Sequence, residues 1–198
     1  NVYFANELPE GEEHRVFQGK STIADKEGGF FSNITYKGFG LRTDFVFKYG
    51  NWINNFVRSD RESDGLAIAD NQAVGAFNYW QQPGDTDVLP SPIYSATDAT
   101  VMGNSDRWLE RGDYIRMRNV TLLYSFPKQT LEKTPISSLR IYLQGQNLLT
   151  FTKFWGDPEV GLSSGETISF ANAVAPGEAT LYSYPNTKSY QIGLDLSF

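Results

Sequence analysis

Two carboxylates, Asp157 and Glu159, flank Pro158, and two arginines, Arg116 and Arg118, stand two residues apart upstream. Paired carboxylates suit general acid and base work, but the proline between them stiffens the chain. Gly161-Leu162-Ser163-Ser164-Gly165 matches the G-x-S-x-G nucleophile elbow. That elbow needs a strand before it, a helix after it and a histidine base, whereas the flanks are loop-like and the single histidine, His14, lies far upstream in an acidic stretch. Asp60, Glu62 and Asp64, followed by Gly65, resemble the first half of a calcium loop. The twelfth position would be Asn71 where a bidentate glutamate belongs, so a helical EF-hand is out; a looser calcium site or a solvated acidic loop remains. No catalytic set survives, calcium is the single cofactor candidate, and the expectation is a protein that is not an enzyme.

The elements that must carry these residues read as strands. From Thr187 to Phe198, Lys188, Tyr190, Ile192, Leu194, Leu196 and Phe198 share one parity, and Thr187, Ser189, Gln191, Gly193, Asp195 and Ser197 hold the other. Side chains alternate faces along a strand, so one face is mostly apolar and the other polar or small. Similar alternation runs through 29–37, 39–49, 114–126 and 139–151, with Gly38 as a tight hairpin connection and Pro127 ending the third run. A weaker strand is expected near Arg15 to Gly19. A membrane-crossing strand takes about nine to eleven residues with aromatic residues at the interfaces, and these runs fit. A half-buried strand of a soluble sandwich alternates in the same way.

Loop lengths separate the two. Asn51 to Asp113 and Thr152 to Asn186 are long, Pro127 to Ser138 is moderate and Gly38 is minimal, so long and short connections alternate along the chain. Barrels of the outer membrane sort short turns to one side and long loops to the other; a sandwich has no reason to. The chain has 198 residues and no run of eighteen apolar residues, which excludes a transmembrane helix but not a barrel. Eleven Tyr, fourteen Phe and four Trp fit strands and interfaces. A net charge of -6 argues against nucleic acid as a partner, and nine acidic residues against three basic ones between Asn51 and Glu110 fit an exposed loop. The absence of cysteine rules out disulfides and thiolate metal sites. With Asn1 first and no signal-like apolar segment, the sequence reads as processed or partial.

Four stretches also carry a family resemblance: GGFFSNITYKGFGLRTDFVFKYG from Gly28, WLERGDYIRMRNVTLLYSFP from Trp108, LRIYLQGQNLLTFTKFWGDPEV from Leu139 and YPNTKSYQIGLDLSF from Tyr184. In this order and spacing they resemble the end of the SusC/RagA-type TonB-dependent outer-membrane transporters. The resemblance implies an all-β fold: an antiparallel transmembrane β-barrel segment, the last five or six strands of a large plugged barrel, in the bacterial outer membrane. Residues 28–198 would form barrel, and 1–27 an extracellular loop or the weak strand. The implied partners are the remaining barrel and plug, TonB through an N-terminal part these residues lack, a SusD-like surface lipoprotein, the lipid bilayer and a glycan or peptide substrate. Trp80, Tyr94, Trp108 and Trp155 become candidates for contact with lid or ligand, set against plain packing or girdle roles. Phe198, Leu196 and Tyr190 would form an assembly signal on the last strand. The resemblance also makes the Asp157–Glu159 stretch structural.

Two other classes stay compatible with the same strands: a barrel that scaffolds a larger complex, and a soluble β-sandwich binding module. One conflict also remains. Arg116 and Arg118 share the parity of Val120, Leu122 and Tyr124, and two lipid-facing arginines would each cost about 2–4 kcal/mol near the bilayer midplane. Either they lie above the hydrocarbon, or a bulge near Asn119 switches parity.

Overall fold

Alternating side chains give strands, and in a computed structural model the strands are long and antiparallel. The structure describes residues 19–62, 71–92, 106–159, 178–179 and 184–198. In chain order the elements are β1 (Lys26–Tyr36), β2 (Phe39–Tyr49), β3 (Trp52–Asn55), α1 (Phe56–Arg61), β4 (Leu109–Arg111), β5 (Tyr114–Ser125), α2 (Lys128–Leu131), β6 (Ser138–Thr152), β7 (Glu178–Ala179) and β8 (Ser189–Ser197), with short 3-10 turns at Val74–Phe77 and Asp106–Trp108. The chain divides into two compact units, one holding Trp52–Arg111, the other Ala24–Asn51, Gly112–Glu159 and Tyr184–Phe198.

The second unit is a five-stranded sheet in the order β1-β2-β5-β6-β8. All four pairings are antiparallel. Lys37 and Gly38 join β1 to β2 with φ of 47° and 88°, the two positive values that a two-residue hairpin turn with the twist of its strands requires. A Cβ on Gly38 would also sit 2.8 Å from the Ser125 carbonyl, so glycine is needed on both counts. β1 starts three residues before the alternating run that announces it, and the other four strands begin and end within two residues of theirs.

One face of this sheet is apolar. Phe30, Ile34 and Tyr36 stand beside Phe45, Leu41 and Phe39; these stand beside Met117, Leu122 and Tyr124, followed by Leu149, Leu143 and Ile141, and then by Ile192 and Leu194 on β8. Aromatics close both ends of the row. Phe39 meets Tyr124 at 4.6 Å, and Tyr124 meets Phe126 at 4.9 Å, beside the hairpin; Phe30 stacks on Phe45 at 4.9 Å toward the other end. Between Phe39 and Tyr49 the chain advances about 34 Å, which a barrel tilt of about 35–45° projects to about 24–28 Å, the height of a bilayer's apolar band. The row is open rather than packed: Ile192 is 81% exposed and Phe151 61%. The opposite face carries Arg42, Asp44, Asn119, Thr121, Gln144, Gln146, Gln191 and Asp195. Among the described residues no strand pairs with the outer edge of β1 or β8.

The first unit was not legible as structure. Where the sequence reads as one long loop, β3 pairs antiparallel with β4 and parallel with β7. Ile53 and Trp108, the former fully buried and the latter 1% exposed, form its core. The strands hold four, three and two residues, too few for a period to show. Of the weak strand expected near Arg15 to Gly19, all but Gly19 lies outside the described residues.

The separation of faces generates a direct expectation. In the intact protein in lipid, Leu122→Arg should cost about 2–4 kcal/mol in unfolding free energy and lower the amount inserted, while Thr121→Arg next door should cost about 0–1. Denaturant unfolding in lipid vesicles measures both; equal effects would mean that the apolar row is not a lipid face.

Candidate functional site

The arginine conflict resolves at one residue. On β5, Met117 opposes Phe45 of β2 and Asn119 opposes Asp44, so Arg118 has no counterpart in the ladder. The same stretch is irregular against β6, where Met117 opposes Leu149 and Asn119 opposes Gln146. Against β2, Arg118 is therefore the extra residue of a β-bulge that switches the parity of β5; against β6 the extra residue lies on β6, where Asn147 and Leu148 together stand opposite Arg118. Ile115 and Met117 below it, and Val120, Leu122 and Tyr124 above it, share the apolar face of neighbours that keep one parity throughout. Arg116 turns to the polar face.

There Arg116 is 2% exposed, and two carboxylates receive it. Its Nη2 donates to Asp157 Oδ1 at 2.5 Å. Its Nε lies 3.0 Å from Glu159 Oε2, close enough for an ion pair but off the line of a hydrogen bond. Arg118 Nη2 donates to Glu159 Oε1, and the Tyr114 hydroxyl donates to the same oxygen at 2.6 Å. Asp157 Oδ1 accepts the Glu159 N–H at 3.0 Å, a local turn that fixes the segment around Pro158. Asn186, just before β8, donates its backbone N–H to Asp157 Oδ2 and its side-chain amide to Glu159 Oε2, at 3.0 and 3.3 Å. Two positive and two negative charges thus cancel where water is scarce, and three distant segments are tied together.

This arrangement makes anchors of the carboxylates rather than acid and base. Burial pushes the Asp157 carboxyl up, but the Arg116 hydrogen bond, those from the backbone N–H groups of Glu159 and Asn186, and the Arg116 charge together hold it below its ordinary 3.8. A proton-transfer group near neutral pH needs the opposite shift.

A second cluster lies in the first unit. Asn55 caps α1 by accepting the Arg58 N–H at 3.0 Å, and Arg58 reaches Glu62 and Glu110, each at 2.8 Å. The Arg58 and Arg107 guanidinium groups lie 5.8 and 5.0 Å from the centre of the Trp108 ring. Glu62 is buried and paired, and Asp60 Oδ2 lies 3.3 Å from Arg61 Nε, so both are engaged with arginines. Asp64, the third carboxylate of the calcium candidate, and the G-x-S-x-G stretch lie outside the described residues. Among the described residues no group of three or more potential metal ligands converges.

The aromatic candidates do not gather into one site. Trp108 is an interior packing residue, because the short strands of its unit close over it. Trp80 and Trp155 are each 43% exposed, the first in the loop unit and the second after β6. Tyr94 lies outside the described residues. Tyr190 and Leu196 stand on the apolar row of β8, 70% and 43% exposed, with Phe198 just beyond it at 85%. What sequence reasoning missed is the latch itself. Its carboxylates and arginines were both visible, but nothing in the spacing joined residues about forty apart.

No family model matches the sequence. TonB-dependent receptor P3 of Formosa agariphila is 28% identical over 171 residues, which cover 86% of this chain and 16% of that protein. Receptor P39 of the same organism is 30% identical over 181 residues, 89% of this chain and 16% of its own length. Structures of the RagAB peptide importer in the open-open and closed-closed states superpose with TM-scores of 0.70 and 0.68, at 28% and 29% identity, covering 90% of this chain and 18% of that one. The chain thus spans about a sixth of the length of the curated relatives it matches. These relatives are receptors and importers, not enzymes, in keeping with carboxylates tied up by arginines.

Removing one partner of a buried ion pair strands the other. Arg116→Met in the intact protein should cost about 3–5 kcal/mol, and Asp157→Asn less, because Glu159 still faces Arg116. Since the native Asp157 value is depressed, its contribution is complete above the ordinary 3.8 and is lost as pH falls through the lower native value. Thermal melting in detergent at pH 7 and pH 3 should show a loss on acidification that Asp157→Asn reduces; an unchanged acid response in that variant would remove Asp157 from the latch.

Proposed function

We propose that this chain, a barrel segment of the SusC/RagA type of TonB-dependent outer-membrane transporter, forms wall and loop structure of an importer for oligosaccharides or peptides that works with a SusD-like surface lipoprotein. The observation that carries the reading is the two-faced sheet. Its strands of nine to fifteen residues are long enough to cross an outer membrane, with apolar side chains to lipid and polar ones to a lumen. Five strands cannot close a barrel wide enough to hold a plug, so the segment acts only within a larger wall.

In this reading the polar face lines the substrate path, and the ligand meets carboxamides, hydroxyls and paired charges rather than reactive groups. Arg42 and Asp44 form one such pair at 3.1 Å and Arg140 and Asp195 another at 3.1 Å. Neutralised in place, they leave a wet, nearly uncharged wall that a neutral glycan or a peptide can pass. Support for a peptide cargo comes from likeness to an importer of peptides, and support for a surface partner from the length of the connections between β2 and β5 and between β6 and β8. Energy coupling through TonB would reside in parts of the protein outside these residues.

Uptake decides the cargo. Cells with and without the gene are compared for import of fluorescent peptides and of fluorescent oligosaccharides, each with and without a protonophore. Gene-dependent, protonophore-sensitive uptake of one class is expected; uptake of neither would contradict an importer. The lipoprotein is tested separately, by affinity purification from detergent-solubilised outer membranes, where a stoichiometric lipid-modified partner is expected and purification of the transporter alone contradicts the pairing.

Topology gives a further expectation. With the hairpin end of the sheet facing the periplasm, a cysteine at Thr86 should react with an impermeant reagent on intact cells, and one at Ser137 should react only after permeabilisation. Labelling at Ser137 without labelling at Thr86 would invert the assignment.

A further inference from the structure

Alternation fixes which face a strand residue takes, but it does not fix register. A slip of two residues keeps every side chain on its own face. β8 is exposed to this hazard, because Tyr190, Ile192, Leu194 and Leu196 oppose Gly145, Leu143, Ile141 and Leu139, a row of similar apolar contacts that a two-residue slip largely reproduces. Long strands within one wall must nevertheless choose a single register.

Two features of the sheet distinguish the observed register from its neighbours. Tyr142 opposes Gly193, and a Cβ built on Gly193 would run into the Tyr142 ring. The ring therefore occupies the space that the missing side chain leaves. A slip in either direction would bring Gln191 or Asp195 opposite Tyr142, and each carries side-chain atoms where the ring now lies. The second feature stands at the strand's entry. Asp157 and Glu159 hold Asn186 through its backbone and side-chain N–H groups, and Asn147 Nδ2 donates to the Thr187 carbonyl at 3.2 Å. Asn147 adopts φ of 53°, a conformation that asparagine tolerates better than most residues, beside the irregularity opposite Arg118. The bulge and the carboxylates thus set where β8 starts.

We propose that Tyr142 seated on Gly193, together with the Asp157–Glu159 clasp on Asn186, is a register key that selects one pairing of β8 with β6 out of a ladder of near-equivalent slips. The key gives Gly193 a reason to interrupt a strand, where glycine otherwise weakens pairing. It also separates two jobs within the strand pair: the apolar row supplies contact with lipid, and the polar face supplies the choice of register. Arg140 with Asp195, and Ser189 Oγ donating to Gln146 Oε1 at 3.1 Å, stand on the same polar face and agree with the register so chosen.

Disulfide cross-linking in the intact protein reads the register directly. Cysteines directly opposite each other in an antiparallel pair lie about 4.5–5.5 Å apart at Cα, within bridging range, while positions displaced by two lie about 7–8 Å away and outside it. Leu143→Cys is combined in turn with Ile192→Cys, Tyr190→Cys and Leu194→Cys, and outer membranes are oxidised. In the parent protein only the 143–192 bridge should form. In Tyr142→Ala/Asp157→Asn/Glu159→Gln, the 143–190 and 143–194 bridges should rise from background to about a tenth or more of the bridged product, the level expected when near-equivalent registers compete. The readout is a fraction of inserted protein, so lower abundance does not obscure it. Tyr142→Ala alone, which keeps every charge, should show a smaller slipped fraction and serves if the triple variant fails to accumulate. Bridging confined to 143–192 in Tyr142→Ala and in any triple variant that accumulates would overturn the proposal.

Discussion

A sheet that stands in a bilayer must keep its two faces chemically apart along every strand, because lipid hydrates neither a charge nor an unpaired peptide group. The rest of this segment depends on how β5 meets that demand. Its central run holds two arginines where the simple alternation would send them outward, and a single extra residue, Arg118, turns the lower half of the strand by one position. Arg116 then faces inward, where Asp157 and Glu159 hold it. Had the bulge been absent, Ile115 and Met117 would face the lumen and both arginines the lipid. Instead β2 runs through regularly, β6 returns to the same parity across its own irregularity at Asn147 and Leu148, and one continuous apolar surface results.

The same cluster connects local chemistry to chain topology. Buried ion pairs contribute little net stability against a well-packed apolar alternative, but they are strict about who stands where. Here the strictness is useful. Arg116 and Arg118 lie on β5, the carboxylates follow β6, and Asn186 leads into β8. Satisfying these charges requires the three segments to converge, so a charge requirement on one strand also positions the entry of another about seventy residues later. Catalysis has no place in such an arrangement, since the depressed Asp157 carboxyl is kept ionised by its partners rather than poised to exchange a proton. The segment contributes barrel wall.

The five long strands were legible because period-two alternation is local, and because the hairpin glycine and Pro127 punctuate it. The conflict over Arg116 and Arg118 was legible too, as a conflict with two solutions; selecting the bulge required the cross-strand register, which no single strand encodes. Other features were hidden for physical reasons. The strands Trp52–Asn55 and Leu109–Arg111 are too short to show a period, and their pairing spans more than fifty residues. Trp108 read either as a lid or ligand contact or as a packing or girdle residue, and that pairing, which encloses it and sets Arg58 and Arg107 against its ring, makes it a packing residue. Glu62 read as part of a loose calcium site or of a solvated acidic loop, although its partner Arg58 lay one helical turn away, a spacing that could have been read once a helix was suspected. The likeness to a peptide importer supplies what neither pattern nor packing could, that these residues match only 18% of a longer chain.

β5 crosses a bilayer with a change of phase at Arg118. A scan of single cysteines from Tyr114 to Ser125 in the intact protein, each carrying a fluorophore and exposed in turn to a lipid-borne and a water-borne quencher, tests this most directly. Lipid quenching is expected at 115, 117, 120, 122 and 124 and aqueous quenching at 119, 121 and 123, with the two-residue rhythm broken once, between 117 and 120. An unbroken alternation through 118, or aqueous quenching at every position, would contradict it.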